Sequence, residues 1–283
     1  MFRIEQEQNT YLNYKLIDTA ANAICTITPE KGGMCTSFMI DGIEMIYINP
    51  ENYYSDVRTR CASPVLFPTL GLCHEDTLWI DEAAYPMGIH GIAHAQPWQV
   101  IETNTTSKAS ITLRLQANEI TLASYPFYFS YDLTYCLCGN ALTLQVKVHN
   151  HGDAIMPFTY GFHPYFKISD VRNLKFEIDG QIQDEQGELK AYEQIEFPYA
   201  AETKVTLAKV ASPCAFVDKA TGRSVKLEFH DDIHYIILWS LCEQQFLCME
   251  PWNSLPNGLN EGQGMMLQPH TSYTTELTFT FES

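Results

Sequence analysis

The chain has 283 residues, of which 17 are basic and 34 acidic, and its formal net charge is −17 at pH 7. This charge opposes binding to nucleic acid or to an anionic membrane, where affinity comes from neutralising phosphates with lysine and arginine, so a neutral or weakly charged small molecule is the easier partner. No apolar run approaches the roughly 20 residues that cross a bilayer, and residues 1–6 lack the apolar core of a signal peptide, so we expect a cytoplasmic protein.

The predicted elements are strands almost throughout. Residues 111–116 alternate between apolar and polar side chains, which is typical of a half-buried strand. Residues 127–137 and 142–148 follow the same pattern, and the turn-forming residues 138–141 between them predict an antiparallel hairpin. Four more strands are predicted at 225–229, 235–239, 246–249 and 273–281. Since capped helical periodicity is nearly absent, we expect an all-β fold, a large antiparallel β-sandwich, formed as a single domain over residues 1–283.

Two segments refine this expectation. The polar residues 179–194 predict a long hairpin loop, and the last strand ends so near residue 283 that we expect the tail to be paired in a sheet.

The nine cysteines form neither a Cys-x-x-Cys pair nor a secreted-domain pattern, so we expect reduced thiols. Cys136 and Cys138 are at strand spacing and are predicted to be small buried core residues.

Two short strings carry the residues best suited to proton transfer. His163 lies in Tyr-Gly-Phe-His-Pro-Tyr-Phe at 160–166, and Glu250 lies in Cys-Met-Glu-Pro-Trp at 248–252. A histidine and a glutamate brought together in an aromatic pocket can serve as an acid and a base near neutral pH, because burial moves their pKa values toward 7. Aromatic faces also suit the apolar C–H surfaces of a sugar ring.

Two further strings precede these in the chain. Ser-Pro-Val-Leu-Phe-Pro at 63–68 and Met-Gly-Ile-His-Gly-Ile-Ala-His at 87–94 are predicted to form paired binding loops. In this order the four strings resemble the aldose 1-epimerase family, the galactose mutarotase-like proteins. The resemblance implies an antiparallel β-supersandwich whose cleft holds one sugar ring, in agreement with the strand pattern.

The resemblance also implies roles for individual residues. Glu250 matches the family's general base and His163 its general acid, in a ring opening and closure that interconverts the α and β anomers of a hexose. His90 matches a histidine that hydrogen-bonds the sugar, and Arg60 is a second candidate for sugar binding. The reaction needs no cofactor and no metal. Trp252 and Phe166 are either cleft-flanking platforms or core residues.

The chain departs from the hexose-phosphate branch of the family at the phosphate contacts. There an Arg-Gly-Gly string and a His-Gly-Phe-Ala-Arg string supply two arginines. Here Arg60 is kept but Cys61 and Ala62 replace the glycines, and His94 replaces the second arginine. An imidazole cannot replace a guanidinium as a bidentate phosphate ligand, so the natural sugar stays open between a neutral aldose and an anionic one.

Other interpretations also stay open at this stage. The galactose branch uses one more acidic residue, and the sequence does not choose among Asp218, Asp231 and Asp232. The fold could instead serve a non-catalytic carbohydrate-binding protein. A third class is a metal-dependent β-sandwich enzyme built on two histidine pairs, His149 with His151 and His230 with His234. The oligomeric state cannot be read from the sequence.

Overall fold

The computed structural model describes residues 1–54, 59–184, 186–191, 202–241 and 244–282. The strands are β1 Phe2–Gln8, β2 Leu12–Asp18, β3 Ala23–Thr28, β4 Met34–Ile40, β5 Ile43–Glu44, β6 Val65–Leu66, β7 Thr77–Ile80, β8 Ala83–Pro86, β9 Gln99–Asn104, β10 Ala109–Gln116, β11 Phe129–Cys138, β12 Ala141–Asn150, β13 Met156–Phe158, β14 Gly161–Phe162, β15 Tyr165–Lys167, β16 Leu174–Gln183, β17 Leu189–Ala191, β18 Glu202–Asp218, β19 Ser224–Phe229, β20 Tyr235–Leu241, β21 Phe246–Trp252, β22 Met265–Leu267 and β23 Ser272–Glu282.

Helical structure in the described residues is short. The α-helices are α1 Pro50–Tyr53 and α2 Glu119–Ser124, and single 3₁₀ turns occupy His74–Asp76, Ala93–Ala95 and Val171–Asn173. None of these helices has the length and apolar character needed to cross a membrane.

The strands form one large antiparallel sheet and smaller sheets packed around it. The large sheet has the order β6-β14-β21-β20-β18-β19-β23-β12-β11-β10-β9, with β15 also paired to β21 and the β16–β17 hairpin attached to β18. A second sheet has the order β1-β2-β3-β4-β5, and two-stranded sheets join β13 with β22 and β7 with β8. The observed fold is therefore the antiparallel all-β sandwich that the sequence predicts.

The core lies between these layers because the inward side chains of each strand are apolar. In β10, for example, Ile111, Leu113 and Leu115 are buried and alternate with more accessible residues. Phe67 is at the centre of an aromatic cluster, with its ring centroid 5.1 to 5.7 Å from those of four other rings. These ring contacts hold the segment that contains Phe67 against the core of the sandwich.

The predicted strands are confirmed, with their ends shifted by up to three residues. The hairpin joins β11 to β12, and β21 extends three residues beyond its predicted end to Trp252. The C-terminal strand β23 pairs with both β12 and β19, so the predicted pairing of the tail is also confirmed.

Two predictions about local structure are wrong. Residues 179–183 continue strand β16 and pair with β18, and β17 at Leu189–Ala191 pairs back with β16; residues 185 and 192–194 lie outside the described residues. Strands of a hairpin pair through their backbones and need no apolar side chains. The polar side chains of residues 179–183 therefore did not indicate a loop. Cys138 is exposed at the end of β11, because its neighbour Leu137 takes the core-facing position, whereas Cys136 is buried on the outer face.

The loop that carries His90 is fixed by a close backbone approach. Gly91 has φ +77°, and a Cβ placed on it would lie 2.2 Å from the carbonyl oxygen of Phe67. The N–H of Ile92 donates to that same carbonyl at 2.8 Å. Only glycine fits at this position, because any side chain would collide with the backbone of the neighbouring loop.

We therefore predict that Gly91→Ala lowers the free energy of unfolding by at least about 2 kcal/mol, from left-handed backbone strain and the collision with Phe67. Urea unfolding followed by tryptophan fluorescence measures this loss. Gly88→Ala is the matched control, since no atom lies within 4 Å of the position that a Cβ would take there and its φ is not in the left-handed range. Equal stability of the two variants would contradict this account of the loop.

Candidate active site

The register of β21 brings His163 and Glu250 together. Gly161 of β14 pairs with Trp252, and Tyr165 of β15 pairs with Cys248. His163 and Glu250 are the midpoints of these two antiparallel segments, so they lie opposite one another. Directly opposed residues on one face have Cβ atoms about 5 Å apart, which is close enough for their side chains to meet.

The sequence around His163 explains the break between β14 and β15. Pro164 has no backbone N–H and cannot donate in the ladder, so strand pairing stops there and resumes at Tyr165. A Cβ on Gly161 would lie 2.8 Å from the carbonyl oxygen of Pro251, so glycine is needed where the chain approaches β21. The backbone N–H of His163 donates to the carbonyl of Pro64 at 3.0 Å, which ties this break to the first binding loop.

The two side chains form a close, largely buried pair. His163 Nε2 lies 3.3 Å from Glu250 Oε2, and the residues are 9% and 2% exposed. Burial raises the pKa of the Glu250 carboxyl well above its ordinary value, while the charge of Lys204 and the indole of Trp252 act to lower it. The His163 ring stacks on Tyr165, with centroids 4.8 Å apart, so its orientation is held by packing.

His90 is placed beside this pair. Its ring centroid lies 5.2 Å from that of His163 and 5.7 Å from that of Trp252. Its Nδ1 accepts a hydrogen bond from the backbone N–H of Gly71 at 3.1 Å, so the ring proton belongs on Nε2. His90 can therefore act as a neutral hydrogen-bond donor at Nε2.

These residues line a cavity of about 380 Å³, within the range of roughly 300 to 1,000 Å³ that is usual for small-molecule sites. Its other lining residues are Thr59, Arg60, Pro64, Leu66, Gly71, Leu72, Ile89, His94, Tyr165, Glu202, Lys204, Ile237, Trp239, Trp252 and Pro256. Trp252 is thus part of the cavity wall. Phe166 instead packs in the core against Phe216 and Phe279. Of the two positions predicted for it, the structure therefore shows the core position.

The cavity also carries charged residues that sequence reasoning missed. Glu202 and Lys204 come from β18, which pairs with β20, and Lys204 is directly opposite Trp239 on the cavity face. The Trp239 indole N–H donates to Glu202 at 2.7 Å. The period-two pattern of 202–207 could have revealed this strand, but no local signal says that its polar side faces the cleft.

The two residues that bear on phosphate binding also line the cavity. Arg60 is exposed there, and His94 lies at the same wall with its Nε2 donating to the carbonyl of Ile89 at 3.1 Å. Nε2 of His94 is therefore already occupied by a hydrogen bond within the protein. The structure brings all four predicted site residues, His163, Glu250, His90 and Arg60, to one cavity.

The other acidic candidates lie elsewhere. Asp218 is buried and accepts hydrogen bonds from the backbone N–H and hydroxyl of Ser169, both at 2.7 Å, which is a structural role. Asp231 and Asp232 line a separate concavity over β9 to β12, β19 and β23, where Asp232 contacts the hydroxyls of Tyr160 and Tyr273. None of the three lines the cavity that contains Glu250.

The histidine pairs of the metal hypothesis lack a third ligand among the described residues. The rings of His149 and His151 are 4.3 Å apart, but they contact Ser272 and Ser130 respectively. The one group of three potential ligand side chains found in the described part of the chain is at the cavity itself.

Comparisons with known proteins agree with the fold and identify a family. The profile of the family described as aldose 1-epimerase matches residues 74–280. The plasmid-encoded protein LacX of Lactococcus lactis subsp. lactis is 24% identical over 275 residues, which cover 85% of this chain and 88% of LacX. The crystal structure of the Slr1438 protein from Synechocystis sp. PCC 6803 has a TM-score of 0.92 at 28% identity, covering 100% of this chain and 99% of that one. A galactose mutarotase-like protein from Clostridium acetobutylicum shares the fold, with a TM-score of 0.84. It is 17% identical, and the match covers 100% of this chain and 99% of that one.

Proposed function

Because this chain belongs to the aldose 1-epimerase family, we propose that it is a mutarotase, which interconverts the α and β anomers of an aldose by acid and base catalysis. The observation that carries the proposal is the His163–Glu250 pair, 3.3 Å apart at the wall of a sugar-sized cavity. Two groups this close together can act on two oxygens bonded to the same carbon, such as the C1 hydroxyl oxygen and the ring oxygen of an aldose.

The reaction follows from the chemistry of the two groups. The Glu250 carboxylate takes the proton from the C1 hydroxyl, and the O–H electron pair forms the C1=O double bond. The bond between C1 and the ring oxygen breaks, its electron pair goes to that oxygen, and protonated His163 supplies a proton there. The products are an open-chain aldehyde, a neutral Glu250 and a neutral His163.

Rotation about the C1–C2 bond presents the other face of the aldehyde, and the same steps in reverse close the ring. Burial of Glu250 suits this role, because a carboxylate removed from water is a stronger base than one in solution. In this proposal the His90 Nε2 donor and Arg60, which both line the cavity, bind sugar oxygens, and Trp252 contacts the C–H surface of the ring.

We predict that the protein accelerates exchange between the two anomeric proton signals of an aldose, measured by NMR exchange spectroscopy. Glu250→Gln keeps the size of the side chain but removes its basicity, so the rate should fall by at least about a hundredfold. His163→Asn should cause a loss of similar size, because it removes the proton donor.

The controls separate chemistry from folding. Glu102→Gln makes the same replacement on the outer face of the large sheet and should leave the rate unchanged. Thermal melts should place all three variants close to the wild type. If the wild-type protein is folded and binds aldoses but accelerates exchange for none of them, the carbohydrate-binding interpretation replaces the enzyme.

A second candidate function is mutarotation of an anionic sugar, such as a hexose 6-phosphate. Lys204 supports it, because this lysine and Arg60 are two exposed cations lining the same cavity in a chain of net charge −17. A neutral sugar does not require them. Lys204 would then supply a cation that His94 cannot provide.

For this candidate we predict that Lys204→Met lowers kcat/KM for a hexose 6-phosphate by about tenfold or more, the usual effect of losing one charge-assisted hydrogen bond. The loss should be smaller for the unphosphorylated hexose, and the ratio of the two kcat/KM values is the measure, because it cancels any effect of the Lys204 charge on Glu250 that both sugars share. Lys226→Met, on β19 away from the cavity, is the control. Equal losses for both sugars would count against an anionic substrate.

A further inference from the structure

A buried thiol lies next to the proposed acid and base. Successive side chains of a strand point to opposite faces, so Cys248 and Glu250 share the cavity-facing side of β21. Cys248 is fully buried, pairs with Tyr165 across the sheet, and does not line the cavity. Proton transfer to a sugar requires Glu250 and His163, but it gives no role to a thiol beside them.

The three side chains converge on one point. The sulfur of Cys248, a ring nitrogen of His163 and a carboxylate oxygen of Glu250 all lie within 4.8 Å of one another. Zinc binds sulfur at about 2.3 Å and nitrogen or oxygen at about 2.0 to 2.2 Å, so its donors lie roughly 3.3 to 3.8 Å apart in a tetrahedral site. The 3.3 Å contact between His163 and Glu250 already has this spacing.

The donor set selects the kind of ion. Thiolate, imidazole and carboxylate together suit Zn²⁺ and Cd²⁺, whereas Mg²⁺ and Ca²⁺ need more oxygen ligands than this group offers. His163 and Glu250 line the cavity, which provides the entry path, and the fourth coordination position would face the cavity. Cys25 and Cys35, whose sulfurs are 3.5 Å apart, supply only a pair of thiols elsewhere in the fold.

We propose that Cys248, His163 and Glu250 form an inhibitory site for a soft divalent cation, Zn²⁺ or Cd²⁺. Coordination occupies the nitrogen and the carboxylate that would exchange protons with the sugar, and the Cys248 thiol releases its proton to solvent as it binds the ion. Inhibition rests on the proposed mutarotase function, but binding of the ion does not.

Binding is tested first without any sugar. Cd²⁺ is titrated into the chelator-treated protein, and the ultraviolet absorbance of the cadmium–thiolate bond is followed. The wild type should bind one Cd²⁺ with this signal, and Cys248→Ser should abolish it or raise the dissociation constant at least about tenfold. His163→Asn, a change on a different strand, should weaken binding similarly, so the result does not depend on one variant folding well.

Cys138→Ser is the matched control, because Cys138 is the exposed thiol among the described cysteines. Its Cd²⁺ affinity should equal that of the wild type. The proposed site is wrong if Cys138→Ser loses the cadmium–thiolate absorbance, or if Cys248→Ser binds Cd²⁺ like the wild type.

Inhibition is tested next by anomeric exchange NMR. Zn²⁺ should suppress exchange in the wild type and in Cys138→Ser, with recovery on adding EDTA, and the Cys248→Ser rate should resist the same Zn²⁺ concentration. Full wild-type activity in Zn²⁺ at saturation would overturn the inhibitory role. If the protein exchanges no sugar at all, the proposed function fails, while the Cd²⁺ titration still decides whether the site exists.

Discussion

The site depends on the antiparallel register of β21 with the interrupted strand β14–β15. Pairing on either side of the interruption fixes where His163 stands relative to Glu250, and the backbone hydrogen bonds of the ladder hold that position. A slip of one residue would turn Glu250 toward the core, because alternate side chains face opposite sides of a sheet. Side-chain contacts with Tyr165 and Trp239 then orient the imidazole.

Burial gives this pair its chemical character. A carboxylate surrounded by protein loses hydration, so the pKa of Glu250 rises and its basicity increases, while the charge of Lys204 acts in the opposite direction. Under the proposed function, β21 supplies the base, and β18, which is separated from β21 by β20 in the same sheet, supplies the cation that contacts an anionic substrate. The sulfur of Cys248 lies within 4.8 Å of the donor atoms of this pair, which is the observation behind the proposed metal site.

The fold could be predicted from the sequence because it depends on local patterns, whereas the roles of His163 and Glu250 stay predictions. Alternating side chains identify strands wherever one face is buried, and family motifs single out His163 and Glu250. Lys204 was missed because its place in the cavity depends on the long-range pairing of β18 with β20. Cys138 and residues 179–183 were misread because exposure at a strand end and pairing on a hairpin depend on neighbours that sequence spacing does not reveal. The prediction of a single domain stays a prediction.

A crystal structure of the Glu250→Gln protein with a bound aldose would show whether His163 and Glu250 face the anomeric centre. We expect one sugar ring in the 380 Å³ cavity, with its C1 hydroxyl about 3 Å from the residue 250 amide and its ring oxygen turned toward His163. A sugar bound only over the outer concavity that contains Asp231 and Asp232 would rule out this role for the pair. A sugar in the cavity whose C1 lies away from residue 250 would rule out the same role.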